Sequence, residues 1–499
     1  MKKYTLKALC LSVATSFLLI GCDSSSEISK RTFESSDSWY QQGHNQAFSV
    51  VEKNTRTAKN IILVVGDGMG ITTLTAARIK EGQQLGLPFG EEHYLSFEKF
   101  PYSALVKTYN TDQQTSDSAG TMTALVTGYK TKAGVLSVDD NAERGICSSQ
   151  KGNELPTLFD LANEKGKATG IVTTARLTHA TPAAMYAHSV ERNWESDDKL
   201  TDEAKKNGCR DIAQQLIDHQ KQTPLTVAFG GGRRHFLPAP NGEKTKQARR
   251  KDQQNLIEQW QAIPNHFYLS DSEALESMDI KKGSYLGLFA SSHLDYQHKR
   301  DTQQPSLIVM TQKAVERLEQ DQGGYVLMIE AGRIDHGHHA GNAFSALNET
   351  IELAQTVEWL VQHVNLDETL IVVTADHSHT FTLAGYNTRG ADVLAPVVSN
   401  DYHGHMEDEY QLAKDGKTYT SANYRNGPGA VESHNRDNIS LEKAIDADYK
   451  QQALVPLSSE THGGEDVALY AIGPWSQLFA STMEQHWVYH VMQHGLKNK

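Results

Sequence analysis

The chain has 499 residues, 38% of them hydrophobic and 22% charged, a globular balance that can bury a large core. Its formal charge of −13 excludes a general nucleic-acid binder, which needs a cationic face to displace counterions from phosphates. The 37 glycines against 13 prolines point to many tight turns and exclude a proline-rich linker protein.

The chain opens like a targeting segment. Residues 1–21 join basic Lys2, Lys3 and Lys7 to an apolar run over 8–20, too short to span a bilayer comfortably as a helix. The run ends in Leu19-Ile20-Gly21-Cys22, which resembles the bacterial lipobox, in which Cys22 becomes the lipid-carrying first residue of the mature protein. The plain alternative is an ordinary signal peptide with an incidental cysteine. Residues 22–38 are rich in Ser, Glu and Asp and read as a flexible tether. The protein is therefore expected to be exported and lipid-anchored to a bacterial membrane, facing the periplasm or the cell exterior, with no spanning helix. Of the four cysteines, Cys147 and Cys209 remain after Cys10 and Cys22 are set aside. They suit one disulfide in an oxidising compartment, or stand as two free thiols.

Residues 39–53 can form a first helix. A continuous apolar, β-branched run then covers 60–65, and similar runs recur at 168–173, 226–229, 325–329 and 369–374. Such runs belong to strands buried on both faces. Helical patterns lie between them at 155–165, 211–219, 306–320 and 343–363. The alternation predicts an α/β fold: a doubly wound, mostly parallel central sheet with helices on both faces. Two stretches break the rhythm. Residues 236–260 carry Lys244, Lys246, Arg249, Arg250 and Lys251 and read as a solvated helix and loop. Residues 386–455 are rich in Gly, Asn and Tyr and read as a smaller, crown-like insertion before a last core strand at 467–471.

The chemistry-bearing residues sit near strand ends. Asp67 follows the first strand between glycines, where a carboxylate can approach a cation closely. Ser118 starts a helical stretch, whose free N–H groups favour a phosphoryl group; read alone, Ser118 is an N-cap. His179 and Thr181 follow the next strand, and Arg192 can grip a phosphate with two N–H groups. Glu330 ends a strand, and Asp335 and His339 are one helical turn apart and can face one cation. Asp376-His377 follows another strand, and His462 precedes the last. Mixed Asp and His sets suit zinc, whereas the oxygen set of Asp67, Thr181 and Glu330 suits magnesium.

In order and spacing, the segments 65–70, 117–118, 179–182, 330–339, 374–379 and 460–466 resemble those of alkaline phosphatases. The resemblance runs from about residue 39 to beyond the last core strand. It implies hydrolysis of phosphate monoesters through a covalent phosphoserine at Ser118, with two Zn2+ and one Mg2+. Asp335, His339 and His462 would hold the first zinc; Asp67, Ser118, Asp376 and His377 the second; Asp67, Thr181 and Glu330 the magnesium. Arg192 would bind two phosphate oxygens. His179 and His336 occupy positions just outside the ligands, and histidine at both is closer to the animal enzymes than to the enteric bacterial form. Cys147 and Cys209 resemble a disulfide pair of the animal enzymes. Those enzymes also carry a calcium site with a Phe-Glu pair; here Phe289-Ala290 lacks that carboxylate although Asp301 is present, which makes calcium doubtful. The family forms homodimers, and the region matching 386–455 contributes to that interface. Sulfatases differ by a C/S-x-P-x-R motif that is absent around Ser118, and diesterases generally lack an arginine matching Arg192. A non-catalytic phosphate- or metal-binding lipoprotein would need neither the nucleophile nor the clamp.

Overall fold

Fifteen strands order the described residues, and four of them, each buried along nearly its whole length, fix where everything else goes. In the computed structural model residues 38–47, 57–431 and 436–496 are described. The signal peptide, Cys22, tether residues 22–37 and the part of the first helix past Ala47 lie outside them. In chain order the strands begin with β1 (Asn60–Gly66), β2 (Tyr102–Lys107), β3 (Ala168–Arg176), β4 (Val227–Gly231) and β5 (His266–Leu269). Next come β6 (Ser284–Leu288), β7 (Tyr325–Ala331), β8 (Thr369–Ala375), β9 (Ser378–His379) and β10 (Phe381–Leu383). The last five are β11 (Ala422–Gly427), β12 (Ala453–Pro456), β13 (His462–Gly463), β14 (Val467–Ile472) and β15 (Thr482–Glu484).

Ten strands form one sheet in the order β15-β2-β14-β8-β1-β7-β3-β4-β6-β5. Every pairing is parallel except those of β14 with β2 and β8. β1, β7 and β8 are buried at every position, as the continuous apolar runs require when helices cover both faces. Those helices start at side-chain caps: Thr157 before Leu158–Glu164, Asp211 before Ile212–His219, Ser306 before Leu307–Leu318 and Asn342 before Ala343–His363. Each cap satisfies an amide that the helix itself leaves without a partner.

The sequence does not announce the edges of the sheet. β2, β5, β6 and β15, and the helices Ile71–Gln84 and Trp487–Gly495, have no long apolar run to announce them. Residues 236–260 are also less solvated than their charge implied. Arg250, Leu256 and Trp260 are fully buried, because Arg250 reaches both Asp211 oxygens at 2.9 and 3.0 Å and Asp252 at 2.6 Å. A buried guanidinium is tolerated when its donors are matched by carboxylates. β11, inside 386–455, pairs antiparallel with β10, which precedes that stretch, and parallel with β12 at its end, forming a separate three-stranded sheet. Among the described residues no helix is long and apolar enough to cross a membrane.

Candidate active site

The carboxyl ends of β3, β7, β1 and β8 lie side by side. Their register is fixed: Val65 is level with Glu330, Gly66 with Ala331 and Ala375, and Thr173 with Glu330. Asp67 therefore leaves β1 between Glu330 on one side and Asp376 on the other. The turn after it needs glycine. Gly68 sits at φ 70°, its amide donates to Asp376 Oδ1 at 2.9 Å, and a Cβ there would meet the His379 ring at 2.4 Å.

Ser118 opens the helix Ser118–Thr127, but Asp117 is its cap, accepting from the Gly120 amide at 3.1 Å. The N-cap reading of Ser118 is thereby corrected. Its buried hydroxyl faces the site, 3.1 Å from His377 Nε2. The same imidazole nitrogen lies 3.4 Å from Asp67 Oδ1 and 3.4 Å from Asp376 Oδ2. A second set gathers on Asp335 Oδ1, which is 3.2 Å from His339 Nε2 and 3.5 Å from His462 Nε2; those nitrogens are 3.2 Å apart. Donor atoms bound at 2.0–2.1 Å to a tetrahedral zinc stand about 3.3 Å from one another. The three distances from His377 Nε2 and the three within the Asp335 set lie close to that spacing. In a third, Thr181 Oγ1 is 3.5 Å from Asp67 Oδ2, and Asp67, His179 and Glu330 each offer a ligand atom within 4.8 Å of the others. His179 thus belongs with a candidate ligand group and not only beside one.

The electrostatics of the cavity call for cations. Asp67, Glu330, Asp335 and Asp376 are all buried. Asp67 Oδ1, Glu330 Oε1 and Asp376 Oδ2 have no hydrogen-bond partner among the described residues. Burial, then Asp376, Asp335 and Glu330, push the Asp67 carboxyl well above the usual range. Burial likewise raises Glu330 to about 7 and Asp376 to about 6. Asp335 is held well below the usual range despite burial, because His339, His379 and His462 surround it. Burial and the neighbouring His462 keep His377 neutral, with a ring nitrogen free to act as a ligand. Carboxylates this crowded and dehydrated favour a multivalent cation over mutual repulsion.

Two residues of this cavity carried no assignment from the sequence. His379 Nε2 is 2.9 Å from Asp335 Oδ1, and its Nδ1 is 2.6 Å from Glu460 Oε2. Burial opposes its charge, but the two carboxylates raise it to about 10. The short pairing of β9 with β13 sets His379 level with His462. The signal was present: His379 is two residues past His377, and Glu460 two before His462.

Arg192 Nη1 donates to Asp117 Oδ2 at 2.9 Å, and Nη2 is 3.4 Å from His179 Nε2. His179, His293 and His336 pack together with ring centroids 4.0–5.5 Å apart, and burial lowers all three. Cys147 and Cys209 form a disulfide. Asp301 accepts the Gln303 and Gln304 amides, and Ala290 offers no carboxylate.

A sequence model of the alkaline phosphatase family matches residues 58–498. The chain is 41% identical over 470 residues to the tissue-nonspecific alkaline phosphatase of Felis catus, covering 91% of this chain and 87% of that protein. It is 40% identical over 471 residues to an alkaline phosphatase of Gadus morhua, covering 92% and 95%. Among solved structures, Thermus thermophilus alkaline phosphatase aligns with a TM-score of 0.65 at 24% identity, covering 92% of this chain and 96% of that one. The enzyme of the Antarctic bacterium TAB5 aligns at 0.60 with 18% identity, covering 88% and 99%. At these identities the two structures speak for the fold.

Proposed function

Because the chain belongs to the alkaline phosphatase family, and so is a metal-dependent hydrolase of phosphate monoesters, we propose that it works by attack of Ser118 on phosphorus. One observation carries this reading. Ser118 Oγ, Asp67 Oδ1 and Asp376 Oδ2 each lie 3.1–3.4 Å from His377 Nε2, and the neighbouring Asp117 holds Arg192.

Arg192 would swing its donors to two phosphoryl oxygens, fixing the group for in-line approach. Ser118 Oγ gives up its proton to solvent and forms the new P–O bond as the ester oxygen leaves with its electron pair. The helix behind Ser118 turns its amides toward the transferred group. The alcohol leaves after taking a proton from solvent. Water then attacks the phosphoserine from the vacated side, which returns the Ser118 hydroxyl and releases phosphate.

We assign zinc to Asp335, His339 and His462 and to Asp67, Ser118, Asp376 and His377, since imidazole–carboxylate sets suit that ion. Magnesium is assigned to Asp67, Thr181 and Glu330. When bound, these ions supply the positive charge that lowers the serine pKa and stabilises the leaving oxygen. His336 packs behind His179 and keeps that ring in place.

The test is Ser118→Ala. Release of p-nitrophenol from its phosphate monoester should fall by roughly a thousandfold or more, with zinc and magnesium content unchanged by mass spectrometry. Full turnover in that variant would overturn the nucleophile. We further propose that the chain is exported, carries lipid on Cys22, is tethered to a bacterial membrane through residues 22–38, and pairs as a homodimer with the 386–455 region at the interface. Labelled palmitate lost in Cys22→Ser, and the mass from light scattering, test those two points.

A further inference from the structure

Beside the residues that follow Arg192 lies a cavity of about 270 Å³ lined by Glu195, Asp198, Lys199, Arg234, His235 and Arg249. Asn193, the residue after Arg192, completes the wall, so the cavity adjoins the arginine assigned to phosphate. Its acidic groups are already matched from behind. Glu195 accepts two hydrogen bonds from Arg176, at 2.7 and 2.8 Å, and one from Thr178 at 2.6 Å. Lys244 Nζ lies 2.8 Å from Asp198 Oδ2. Its basic groups are not matched. Among the described residues no carboxylate comes within ion-pair distance of Lys199, Arg234 or Arg249. The contrast with Arg250 is direct: its guanidinium is buried and held by Asp211 and Asp252, while that of Arg249, next in the chain, opens into the cavity.

His235 adds no charge at neutral pH. Burial takes it to about 4, and its ring is spent on Ser196 Oγ at 2.9 Å and Arg234 Nε at 3.1 Å. Arg234 itself is lowered by burial and by the like charges of Arg176 and Arg249, which outweigh the opposing pull of Glu195 and Asp198. Two guanidiniums and an ammonium therefore share one concave space with Glu195 and Asp198, whose charges are paired to Arg176 and Lys244, in a protein whose formal charge is −13. Such a cleft concentrates anions locally, whatever the net charge. Guanidiniums with no carboxylate within ion-pair distance offer paired N–H donors at the spacing of phosphate oxygens.

We propose that this cavity is a second anion site, separate from Ser118, that takes a phosphate-class dianion on Arg234, Arg249 and Lys199. The anion has two sources: free inorganic phosphate, or a second phosphoryl group on a molecule whose first is held at Ser118. The bisphosphate source rests on the serine-site reading above; the free-anion source does not.

The experiment compares the full-length, metal-loaded protein with Arg234→Glu/Arg249→Glu. Calorimetric titration with inorganic phosphate should show one equivalent fewer in the variant. That difference is read without any assumption about Ser118, so it survives even if Ser118→Ala shows the nucleophile assignment to be wrong. Turnover of p-nitrophenyl phosphate should stay within twofold. If the source is a tethered group, KM for an alkyl bisphosphate should rise at least fivefold in the variant while its KM for the monophosphate holds. Should the double variant melt early, Lys199→Glu/Arg249→Gln at the rim, with native melting, carries the same two readouts. Unchanged phosphate stoichiometry together with an unchanged bisphosphate KM, in a variant that melts like the parent, overturns the proposal.

Discussion

Asp117 holds two parts of the site at once: one carboxylate oxygen caps the helix of Ser118 through Gly120, and the other pairs with Arg192 at 2.9 Å. Ser118 and Arg192 are thus set relative to each other by a single side chain. Asparagine also caps helices well but does not balance a guanidinium charge. Asp117→Asn is expected to melt near the parent temperature yet to raise KM for a phosphate monoester several-fold. Asp117→Ala should lose about 1 kcal/mol of stability as well. Steady-state kinetics and thermal melts on the pair of variants separate the two roles.

Arg192→Ala removes the proposed oxygen donors and leaves every candidate ligand in place. A charge-assisted hydrogen bond contributes about 1.5–3 kcal/mol, so inhibition by inorganic phosphate should weaken roughly 10- to 100-fold. Zinc and magnesium content should be unchanged. Loss of metal in this variant would show that Arg192 is structural.

Chelation is expected to abolish turnover and to lower the melting temperature. Asp67, Glu330, Asp335 and Asp376 share one buried cavity, and without cations their repulsion works against the fold. Activity and melting temperature should return together on adding zinc and magnesium. A chelated protein that melts like the loaded one would contradict the ligand assignments.

His490 gives a pH prediction away from the metals. It is fully buried, and burial, then His486 and His44, lower it to about 3. The unfolded chain binds this proton near pH 6.5 and the folded chain does not. Stability is therefore fully present above pH 6.5 and falls as pH drops toward 3, by about 1.4 kcal/mol per pH unit for this group. Denaturant melts from pH 7 to 4 should show a shallower decline in His490→Gln than in the parent.

The disulfide closes a loop with a sequence separation of 62 between Cys147 and Cys209. Opening it should cost about 2–4 kcal/mol. A Cys209→Ser variant compared with the parent by urea melts checks this, and the parent melted in dithiothreitol should match the variant.

How much of this was legible depended on burial. β1, β3, β7 and β8 announce themselves because strands covered on both faces must be apolar throughout. β2 alternates between buried and exposed residues over only six positions, too short a pattern to separate from a loop. Candidate ligands next to those central strands, such as Asp67 and Asp376, are readable because a polar residue after an apolar run is conspicuous. His379 was not, since its partner Glu460 is 81 residues away and only the β9–β13 pairing joins them. Arg250 misled for the same reason: its carboxylate Asp211 is 39 residues distant, so composition alone read it as solvated. Ser118 was read as its own cap because the sequence does not say which of two adjacent small polar residues turns inward.

Two carboxylates in the cavity belong to more than one candidate ligand group: Asp335 to the sets around His462 and His377, and Asp67 to the sets around His377 and Glu330. Occupancy at one set therefore changes the charge seen by the next, and by reciprocity the influence runs equally in both directions. Titration of the emptied protein with zinc, and then with magnesium, should not resolve into independent hyperbolas. The affinity for each ion is a property of the whole row, and a substitution at either end is felt at the other.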